Sequence, residues 1–263
     1  MAITKVVIAA AGQGTRMLGL SKDKSKHLIC VQDRPFLAYL MDNLVTAGYS
    51  DIILVVGFKK ELMEDFKNDF IKHSKAVRES GLAEKIEIQI VDQHEILGPK
   101  EKEYGTACPV KCVKDIVGRD GFIYVYGDNL FSVEDLRSMN IDDEFCYIAG
   151  LKQKHPEKYG VLIEDGDDFL ERIVEKPKEF VGDLINAGLY KFTHEVFDKI
   201  SKIEKSPRGE YEITDTISLL AKERRVRIKK IKDYWHDFGN PADVEKLSNF
   251  IKDGCCKTAK STK

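Results

Sequence analysis

Runs of apolar, β-branched residues alternate with segments of helical pattern in the first half of the chain, and this alternation restricts the fold most strongly. Ile3–Ala10 and Asp51–Val56 are apolar almost throughout, as expected of strands buried on both faces. Between them, Pro35 opens a segment whose apolar residues recur at helical spacing until Gly48, a residue type that often ends helices. Strand, helix and strand in this order predict a right-handed crossover between parallel strands.

The alternation continues as far as the middle of the chain. An amphipathic helix is predicted over Lys59–His73, a strand over Ile86–Val91 and a polar loop over Asp92–Tyr104. A helix over Gly105–Val117 and a strand over Phe122–Tyr126 follow. We therefore predict an α/β fold, a Rossmann-like three-layer sandwich with a mostly parallel, mixed central sheet.

After residue 145 the strand-like runs follow one another more closely, as CYIAGL, YGVLI, FLERIVE and INAGLYKF. Helices are predicted near Thr214–Glu223 and over Pro241–Lys252, on either side of a strand at Val226–Ile231. The sequence contains no internal repeat and no Pro/Gly/Ser-rich linker. These features predict one continuous domain.

That domain is expected to span residues 1–253, with a nucleotide-binding part at about 1–130 and the rest of the site built by about 131–253. The basic, polar tail at 254–263 is expected to be disordered.

Composition excludes several function classes. The 263 residues carry a net charge of −2, which argues against a surface built for nucleic acid. No apolar run approaches the roughly 20 residues that span a bilayer. The six cysteines form no CxxC pair, so they predict neither a zinc site nor a disulfide framework, and they fit a reducing cytoplasm.

The segment AAGQGTR follows the first predicted strand, at the sheet edge where open α/β folds bind ligands. Gly12 and Gly14 permit close approach of the backbone to a ligand, and successive N–H groups in such a loop bind anions. Met17 stands where a dinucleotide loop needs its third glycine, and no lysine follows Gly14 as in a Walker loop. The loop therefore fits neither pattern, and a lone G-x-G turn after a strand is more often structural than functional.

The residues around this loop resemble the signature of the sugar-phosphate nucleotidylyltransferases, G-x-G-T-R followed by Ser25-Lys26 and then by Leu28 and Val31. Further segments resemble that family's motifs in the same order: Gln93, Gly105-Thr106-Ala107, Tyr126-Gly127-Asp128-Asn129, Tyr159-Gly160-Val161, Glu175-Lys176-Pro177, Asn186-Ala187-Gly188-Leu189-Tyr190, Arg208 to Asp215, and Trp235-His236-Asp237-Phe238-Gly239. The resemblance covers roughly residues 3 to 250. Each motif alone is weak, but the ordered series is specific.

The resemblance implies the nucleotide-diphospho-sugar transferase fold and a reaction between a nucleoside triphosphate and a sugar 1-phosphate. A phosphate oxygen of the sugar attacks the α-phosphorus in line, and pyrophosphate leaves. The nucleophile is already an anion at neutral pH, so no serine, cysteine or general base is needed. Catalysis then consists of positioning two polyanions and neutralising charge in the transition state.

The cations of the loop are expected to divide that work. Arg16, whose planar fork can grip two phosphate oxygens, would hold the pyrophosphate leaving group. Lys26 would lie against the α-phosphate. Lys22 and Lys24 are expected to be solvated bystanders. Arg16 and Lys26 are thus the predicted catalytic residues.

The remaining predicted ligands follow from the same motifs. The nucleotide-binding residues implied by the resemblance are Ala11, Gly12, Gly14, Thr15, Gln93 and Gly105. Those implied for the sugar phosphate are Tyr159, Gly160, Glu175, Lys176 and Asn186. Gln93 offers a donor and an acceptor to a pyrimidine edge, although the loop that separates it from Gly105 is longer than usual.

Two aspartates are predicted to hold the Mg²⁺ ion that normally accompanies a triphosphate in such chemistry. Asp128 stands at the end of a predicted strand, and Asp237 stands in WHDFG. An aspartate after a strand can also cap the next helix, but Ser132 is the better cap here. His236 has no partner histidine at metal-binding spacing.

Several alternatives remain open. UTP and dTTP differ by one methyl group, which a pocket distinguishes only about 10–200-fold. The sugar is predicted to be glucose 1-phosphate, with mannose or N-acetylglucosamine 1-phosphate as alternatives, and whether the chain forms a homo-oligomer is open.

Two hypotheses of another class make different predictions about the sequence. A non-catalytic regulatory homologue should have lost one of four residues, yet all four are present: Arg16, Lys26, Asp128 and Asp237. A glycosyltransferase could use Asp165-Gly166-Asp167 as its metal motif, but that segment is typical of a turn between strands, and GxGTR would be unexplained.

Overall fold

A computed structural model describes residues 2–12, 14, 17, 25–57, 59–100 and 102–254. Its strands are β1 (Lys5–Ala10), β2 (Cys30–Val31), β3 (Arg34–Pro35), β4 (Asp51–Val56), β5 (Glu87–Asp92), β6 (Phe122–Tyr126), β7 (Asn129–Phe131), β8 (Cys146–Lys152), β9 (Gly160–Glu164), β10 (Leu170–Glu175), β11 (Leu184–Phe192), β12 (Val226–Lys230) and β13 (Trp235–Asp237). Its α-helices are α1 (Phe36–Ala47), α2 (Lys60–His73), α3 (Lys75–Glu79), α4 (Gln93–Leu97), α5 (Cys108–Cys112), α6 (Lys114–Val117), α7 (Val133–Ser138), α8 (Glu195–Ile200), α9 (Ile213–Lys222) and α10 (Pro241–Lys252). In these ranges no helix is long and apolar enough to cross a bilayer.

The chain forms two compact units, each built from segments that are separated in sequence. The first, here called the parallel unit, comprises Thr4–Gln93, Tyr126–Arg137 and Asp233–Lys263. The second, called the mixed unit, comprises Met1–Ile3, His94–Val125 and Ser138–Lys232.

The parallel unit contains three parallel strands in the order β1, β4, β5. Lys5 pairs with Asp51 and Ala10 with Val56, so β1 and β4 end at the same level. Five of the six residues of β4 are buried, which is why its sequence, DIILVV, lacks the alternation of a half-exposed strand. The carboxyl end of β1 therefore delivers the glycine loop to a sheet edge, as predicted.

Helix α1 crosses between the first two of these strands and is buried along nearly its whole length. Gly48 ends it in the left-handed conformation, with φ of 105°, and donates its N–H to the last turn of the helix. Asn43 is buried on α1 and donates to the carbonyl oxygen of Phe131 at 2.8 Å and to the Tyr234 hydroxyl oxygen at 2.9 Å. These bonds fix β7 and the segment before β13 against α1.

The mixed unit is organised around β11, its longest strand. β11 pairs antiparallel with β6, β8 and β9, while β12 adds to β8 in parallel. β9 and β10 form an antiparallel hairpin, and Asp165-Gly166-Asp167 lies in its turn, as predicted. Stacked rings of Tyr124, Tyr190 and Phe192 fill part of the core of the mixed unit.

The predicted elements differ from the observed ones in specific places. The segment predicted as the loop Asp92–Tyr104 begins with the short helix α4, and the predicted helix Gly105–Val117 is two helices that separate at Val113. Pro109 lies in the first turn of α5, as expected. The short strands β7 and β13 were not predicted, because three residues carry no readable periodicity.

Candidate active site

Lys26 and Asp128 form an ion pair in the parallel unit, with the Lys26 Nζ on Oδ2 of Asp128. The two side chains are only 12% and 19% exposed. Lys26 begins a 3₁₀ turn, Lys26–Leu28, and Asp128 follows the end of β6. The structure thus brings together a predicted catalytic lysine and a predicted metal ligand that are 102 positions apart in sequence.

Gly14 makes room for the Lys26 side chain, and Gly12 lies beside the same side chain. Gly14 has φ of 64°, and a Cβ atom there would lie 2.7 Å from Cβ of Lys26. A Cβ atom on Gly12 would lie 3.7 Å from Cε of Lys26, near the far end of the same stem. Both glycines were predicted to let the backbone contact phosphate. The structure shows a further reason for Gly14: a larger residue there would displace the Lys26 side chain.

The residues on either side of Lys26 are buried and bonded to each other. Ser25 Oγ lies 2.7 Å from Nδ1 of His27, and the two residues are 4% and 1% exposed. Burial, with the nearby Lys26 charge, lowers the pKa of His27 to about 3, against the opposing effect of Asp128. His27 is therefore a neutral imidazole at physiological pH.

Asp128 is held ionised by its neighbours. Burial alone would raise its pKa, but the charge and hydrogen bond of Lys26 bring the pKa below its ordinary value. Asn129 Nδ2 donates to Oδ1 of Asp128 at 3.2 Å, so each carboxylate oxygen has a donor. No role was predicted for Asn129, although its position next to Asp128 in the sequence is a signal for one.

Asp237 is brought to the same place by the short pair of strands β7 and β13. In their register Asp237 pairs with Asn129, and the N–H of Phe238 donates to the Asp128 carbonyl oxygen at 2.8 Å. Phe238 is buried and stacks on Phe36 with ring centroids 4.3 Å apart, which fixes the chain directly after Asp237. The two predicted metal ligands thus stand on adjacent backbone segments.

This donor set fits a hard divalent cation. Two carboxylates offer oxygen ligands and leave further coordination positions for phosphate oxygens and water, as Mg²⁺ prefers. Among the described residues, no group of three or more His, Cys, Asp or Glu side chains could hold a metal by itself. His236 faces Phe250, with ring centroids 4.2 Å apart, and burial lowers its pKa.

The predicted sugar-phosphate residues gather at one end of β9, β10 and β11 in the mixed unit. Gly160 pairs with Glu175, and a Cβ atom on Gly160 would lie 3.0 Å from Oε2 of Glu175 and 3.9 Å from Cβ of Asn186. The N–H of Lys176 donates to the Tyr159 carbonyl oxygen at 3.0 Å. All five predicted residues are therefore neighbours, and their contact with a sugar phosphate stays a prediction.

Two of these five residues show further constraints. Lys176 adopts φ of 44°, a strained conformation for a residue that is not glycine, and its side chain is 58% exposed. Asn186 uses its amide internally: Oδ1 accepts from the Gly188 N–H at 3.1 Å, and Nδ2 donates to the Tyr190 hydroxyl at 2.9 Å. These bonds hold an irregularity in the register between β11 and β8, so part of the capacity of Asn186 is already used.

Gly105 is packed against protein backbone. A Cβ atom there would lie 2.2 Å from the Tyr211 carbonyl oxygen, so only glycine permits this approach. The same oxygen accepts the N–H of Ala107 at 2.9 Å. The motif around Gly105 is thereby fastened to the RGEYEITD motif, a connection that sequence reasoning did not make. Contact of Gly105 with a base stays a prediction.

Thr106 continues this connection. Its hydroxyl donates to Oε2 of Glu212 at 3.2 Å and accepts the N–H of Ile213 at 2.9 Å. Arg208 pairs with Oε1 of Glu212 at 2.7 Å, and the bond to Glu212 raises the pKa of Arg208, with smaller effects of nearby carboxylates that include Glu175. Arg208 is therefore a cation that was not among the predicted ligands, and its pKa responds to the charge of Glu175, one of the predicted sugar-phosphate residues.

The other predicted residues are less informative. Gln93 follows β5 and is buried, while Ala11 directly follows β1. Arg16, Thr15, Lys22 and Lys24 lie outside the described residues, so their roles stay predictions.

Comparison with known proteins identifies the class. Residues 5–254 match the nucleotidyl transferase family, and the chain belongs to that family. This match covers nearly the whole chain and confirms the resemblance that the ordered motifs indicated.

Two relatives and one solved structure illustrate the similarity. The bifunctional sugar-1-phosphate nucleotidylyltransferase/acetyltransferase of Sulfurisphaera tokodaii is 32% identical over 249 residues, which cover 95% of this chain and 56% of that protein. The UTP–glucose-1-phosphate uridylyltransferase AglF of Haloferax volcanii is 29% identical, over 95% of this chain and 97% of that one. This chain spans about half the length of the bifunctional relatives it matches.

The crystal structure of a UDP-glucose pyrophosphorylase complexed with UDP-glucose superposes with a TM-score of 0.79 and 23% identity, over 96% of this chain and 99% of that chain. At this identity the likeness shows the fold, and it confirms the predicted α/β class with a mostly parallel, mixed sheet.

Proposed function

We propose that the chain transfers a nucleotidyl group from a nucleoside triphosphate to a sugar 1-phosphate. UTP and dTTP are the proposed donors and glucose 1-phosphate the first acceptor to test. The observation that carries the proposal is the Lys26–Asp128 ion pair, which lies next to Gly14 and has Asp237 on the adjacent backbone segment. The two relatives, a sugar-1-phosphate nucleotidylyltransferase/acetyltransferase and a UTP–glucose-1-phosphate uridylyltransferase, support the same substrate class.

In this reaction an anionic oxygen of the sugar phosphate forms a new bond to the α-phosphorus. The bond from that phosphorus to the bridging oxygen of the β-phosphate breaks, and both electrons leave with pyrophosphate. No proton has to be removed from the nucleophile, so the site needs cations rather than a base. Lys26 would stabilise the added negative charge on the α-phosphate, and Arg16 would hold the leaving group.

Mg²⁺ fits the carboxylates of Asp128 and Asp237, and when bound it would neutralise charge on the triphosphate. Asn129 would hold the Asp128 carboxylate in orientation through its 3.2 Å hydrogen bond. These assignments need only the hard oxygen ligands that the parallel unit provides.

In the mixed unit, Lys176 and Arg208 are two cations proposed to bind the phosphate of the sugar substrate. Glu175 can accept hydrogen bonds from sugar hydroxyl groups. A carboxylate flanked by cations suits a ligand that presents hydroxyls at one end and a phosphate at the other.

The test is pyrophosphate release with each of five nucleoside triphosphates, crossed against glucose, galactose, mannose and N-acetylglucosamine 1-phosphates in the presence of Mg²⁺. We expect the fastest release with glucose 1-phosphate and UTP or dTTP. The Lys26→Ala variant, purified in parallel, controls for contaminating enzymes. Absence of release with every pair would overturn the proposal.

A further inference from the structure

Two tripeptides face each other in the parallel unit, Ser25-Lys26-His27 and Gly127-Asp128-Asn129. Lys26 meets Asp128 through its ion pair, and His27 packs against Gly127. A Cβ atom on Gly127 would lie 3.0 Å from Cδ2 and 3.2 Å from Nε2 of His27, and 2.8 Å from the Ala9 carbonyl oxygen. The imidazole therefore touches the backbone immediately before the metal-ligand candidate.

A lysine side chain has four rotatable bonds, so its ammonium group has no fixed position unless its surroundings provide one. Here the backbone on both sides of Lys26 is anchored by the buried Ser25–His27 contact at 2.7 Å. Burying two polar side chains costs free energy unless they form their hydrogen bond. The bond requires a particular distance and direction, so it restricts the positions of Ser25 and His27. Apolar side chains would fill the same space without fixing a direction.

We propose that Ser25 and His27 are positioning residues for Lys26, holding its ammonium group at Asp128 where the α-phosphate arrives. The catalytic part of this inference rests on the proposed function. Neither residue needs to touch substrate, because both are buried. They act through Lys26. The Ser25–His27 hydrogen bond fixes the backbone conformation at Lys26, and His27 keeps that backbone at a fixed distance from the segment that carries Asp128.

Four variants test the role in turnover. Ser25→Ala and His27→Leu remove the hydrogen bond, whereas Ser25→Thr keeps a hydroxyl and His27→Asn keeps a polar atom near the place of Nδ1. Removal should lower kcat at least tenfold and change KM for the triphosphate less than threefold, because the affected group acts in the transition state. The two conservative variants should recover most of the loss. Unfolding temperatures identify any variant that fails to fold. Ser25→Ala is the variant least expected to disturb folding, because it only removes one oxygen atom.

A second readout needs no activity. Acetylation by an N-hydroxysuccinimide ester, followed by peptide mass spectrometry, reports how freely each lysine amine is exposed, with no nucleotide or metal added. We expect Lys26 labelling to rise at least threefold in Ser25→Ala and His27→Leu and to stay near wild type in Ser25→Thr and His27→Asn. Lys75, whose side chain is 57% exposed, is the internal reference.

Unchanged Lys26 labelling in folded Ser25→Ala and His27→Leu would overturn the positioning role, even if kcat fell. A rise in labelling with unchanged kcat would overturn the catalytic part. If wild type released no pyrophosphate but labelling rose as expected, the proposed function would fail while the positioning of Lys26 by Ser25 and His27 stood.

Discussion

Lys26 neutralises Asp128 across 102 positions of sequence, in a pair from which water is largely excluded. One partner is the cation proposed to meet the α-phosphate, and the other is a carboxylate proposed to hold the metal. Without substrate, the two side chains therefore neutralise each other. When the ligands bind, the phosphate would take the place of Asp128 at Lys26, and the metal would take the place of Lys26 at Asp128. This relationship makes the two residues testable separately and as a pair.

Lys26→Met removes the charge and keeps an unbranched stem on Gly12 and Gly14. Turnover should fall by about 100-fold or more, the usual effect of removing one charge-stabilising group from a transition state. The measurement is kcat for pyrophosphate release. Lys22→Met and Lys24→Met are the controls, since both lysines are predicted bystanders, and each should stay within about twofold of wild type. An equal loss in Lys24→Met would contradict the division of work among the loop cations.

The same variant should bind a divalent cation more tightly when no nucleotide is present. A metal at Asp128 is repelled by the ammonium group already on that carboxylate, and this repulsion disappears in Lys26→Met. We expect Mn²⁺ affinity, measured by electron paramagnetic resonance, to rise about tenfold or more, the equivalent of about 1.4 kcal/mol.

Lys5→Met is the matched control for metal binding, because Lys5 pairs with Asp51 at 3.3 Å at the start of β1, away from the strand ends that carry the site. Asp128→Asn in the Lys26→Met background should abolish the gain. An equal gain in Lys5→Met, or none in Lys26→Met, would show that Lys26 does not compete with the metal.

Gly14→Ala should reduce turnover through Lys26 rather than through stability. Gly14 and Gly81 have φ of 64° and 68°, so alanine at either position has a similar backbone penalty of about 1 kcal/mol. Only at Gly14 would the added carbon strike Lys26, at 2.7 Å, whereas the space around Gly81 is open. The two variants should lose similar unfolding temperature, but only Gly14→Ala should lose kcat, by at least tenfold. Equal turnover in the two would refute the steric account.

The sequence pattern predicted the bounds of strands and helices correctly where one continuous segment is buried. β4, β6 and α10 have the predicted bounds, because long apolar runs and the proline that opens α10 are local signals. β7 and β13 were missed because their partner lies about a hundred residues away and neither has a period of its own. That missed pair is what carries Asp237 to Asp128.

The residues of the candidate site that stand in family motifs were predicted, and those that act through tertiary packing were not. Lys26, Asp128 and Asp237 stood in recognisable motifs, so their meeting could be expected from the family resemblance. His27 gave no such signal, since a buried histidine and an exposed one look alike in sequence. Gly14 was recognised as special, but its approach to Lys26 is a tertiary contact that no local sequence pattern predicts.

Acid should destabilise the parallel unit through His27. In the unfolded chain a histidine gains its proton near pH 6.5, whereas folded His27 has a pKa of about 3. Between these values the unfolded state binds more protons, so stability falls as pH falls, at up to about 1.4 kcal/mol per pH unit. The folded pKa of Asp128 is lowered, so ionised Asp128 stabilises the folded state, and this stabilisation is also lost as pH falls through that pKa. A His27 variant retains most of the Asp128 contribution, because Lys26 is still present.

The free energy of unfolding in urea, followed by the fluorescence of Trp235, the chain's single tryptophan, should therefore fall less steeply between pH 6.5 and 4.5 in His27→Leu than in wild type. The two stability curves should approach each other toward acid, even though His27→Leu starts lower at pH 7 because the Ser25 contact is lost. His73→Asn, at a histidine whose side chain is 60% exposed, is the control for removal of a histidine outside the site. Parallel curves for wild type and His27→Leu would mean that His27 takes up its proton at the same pH in both states, and its burial as a neutral imidazole would have to be abandoned.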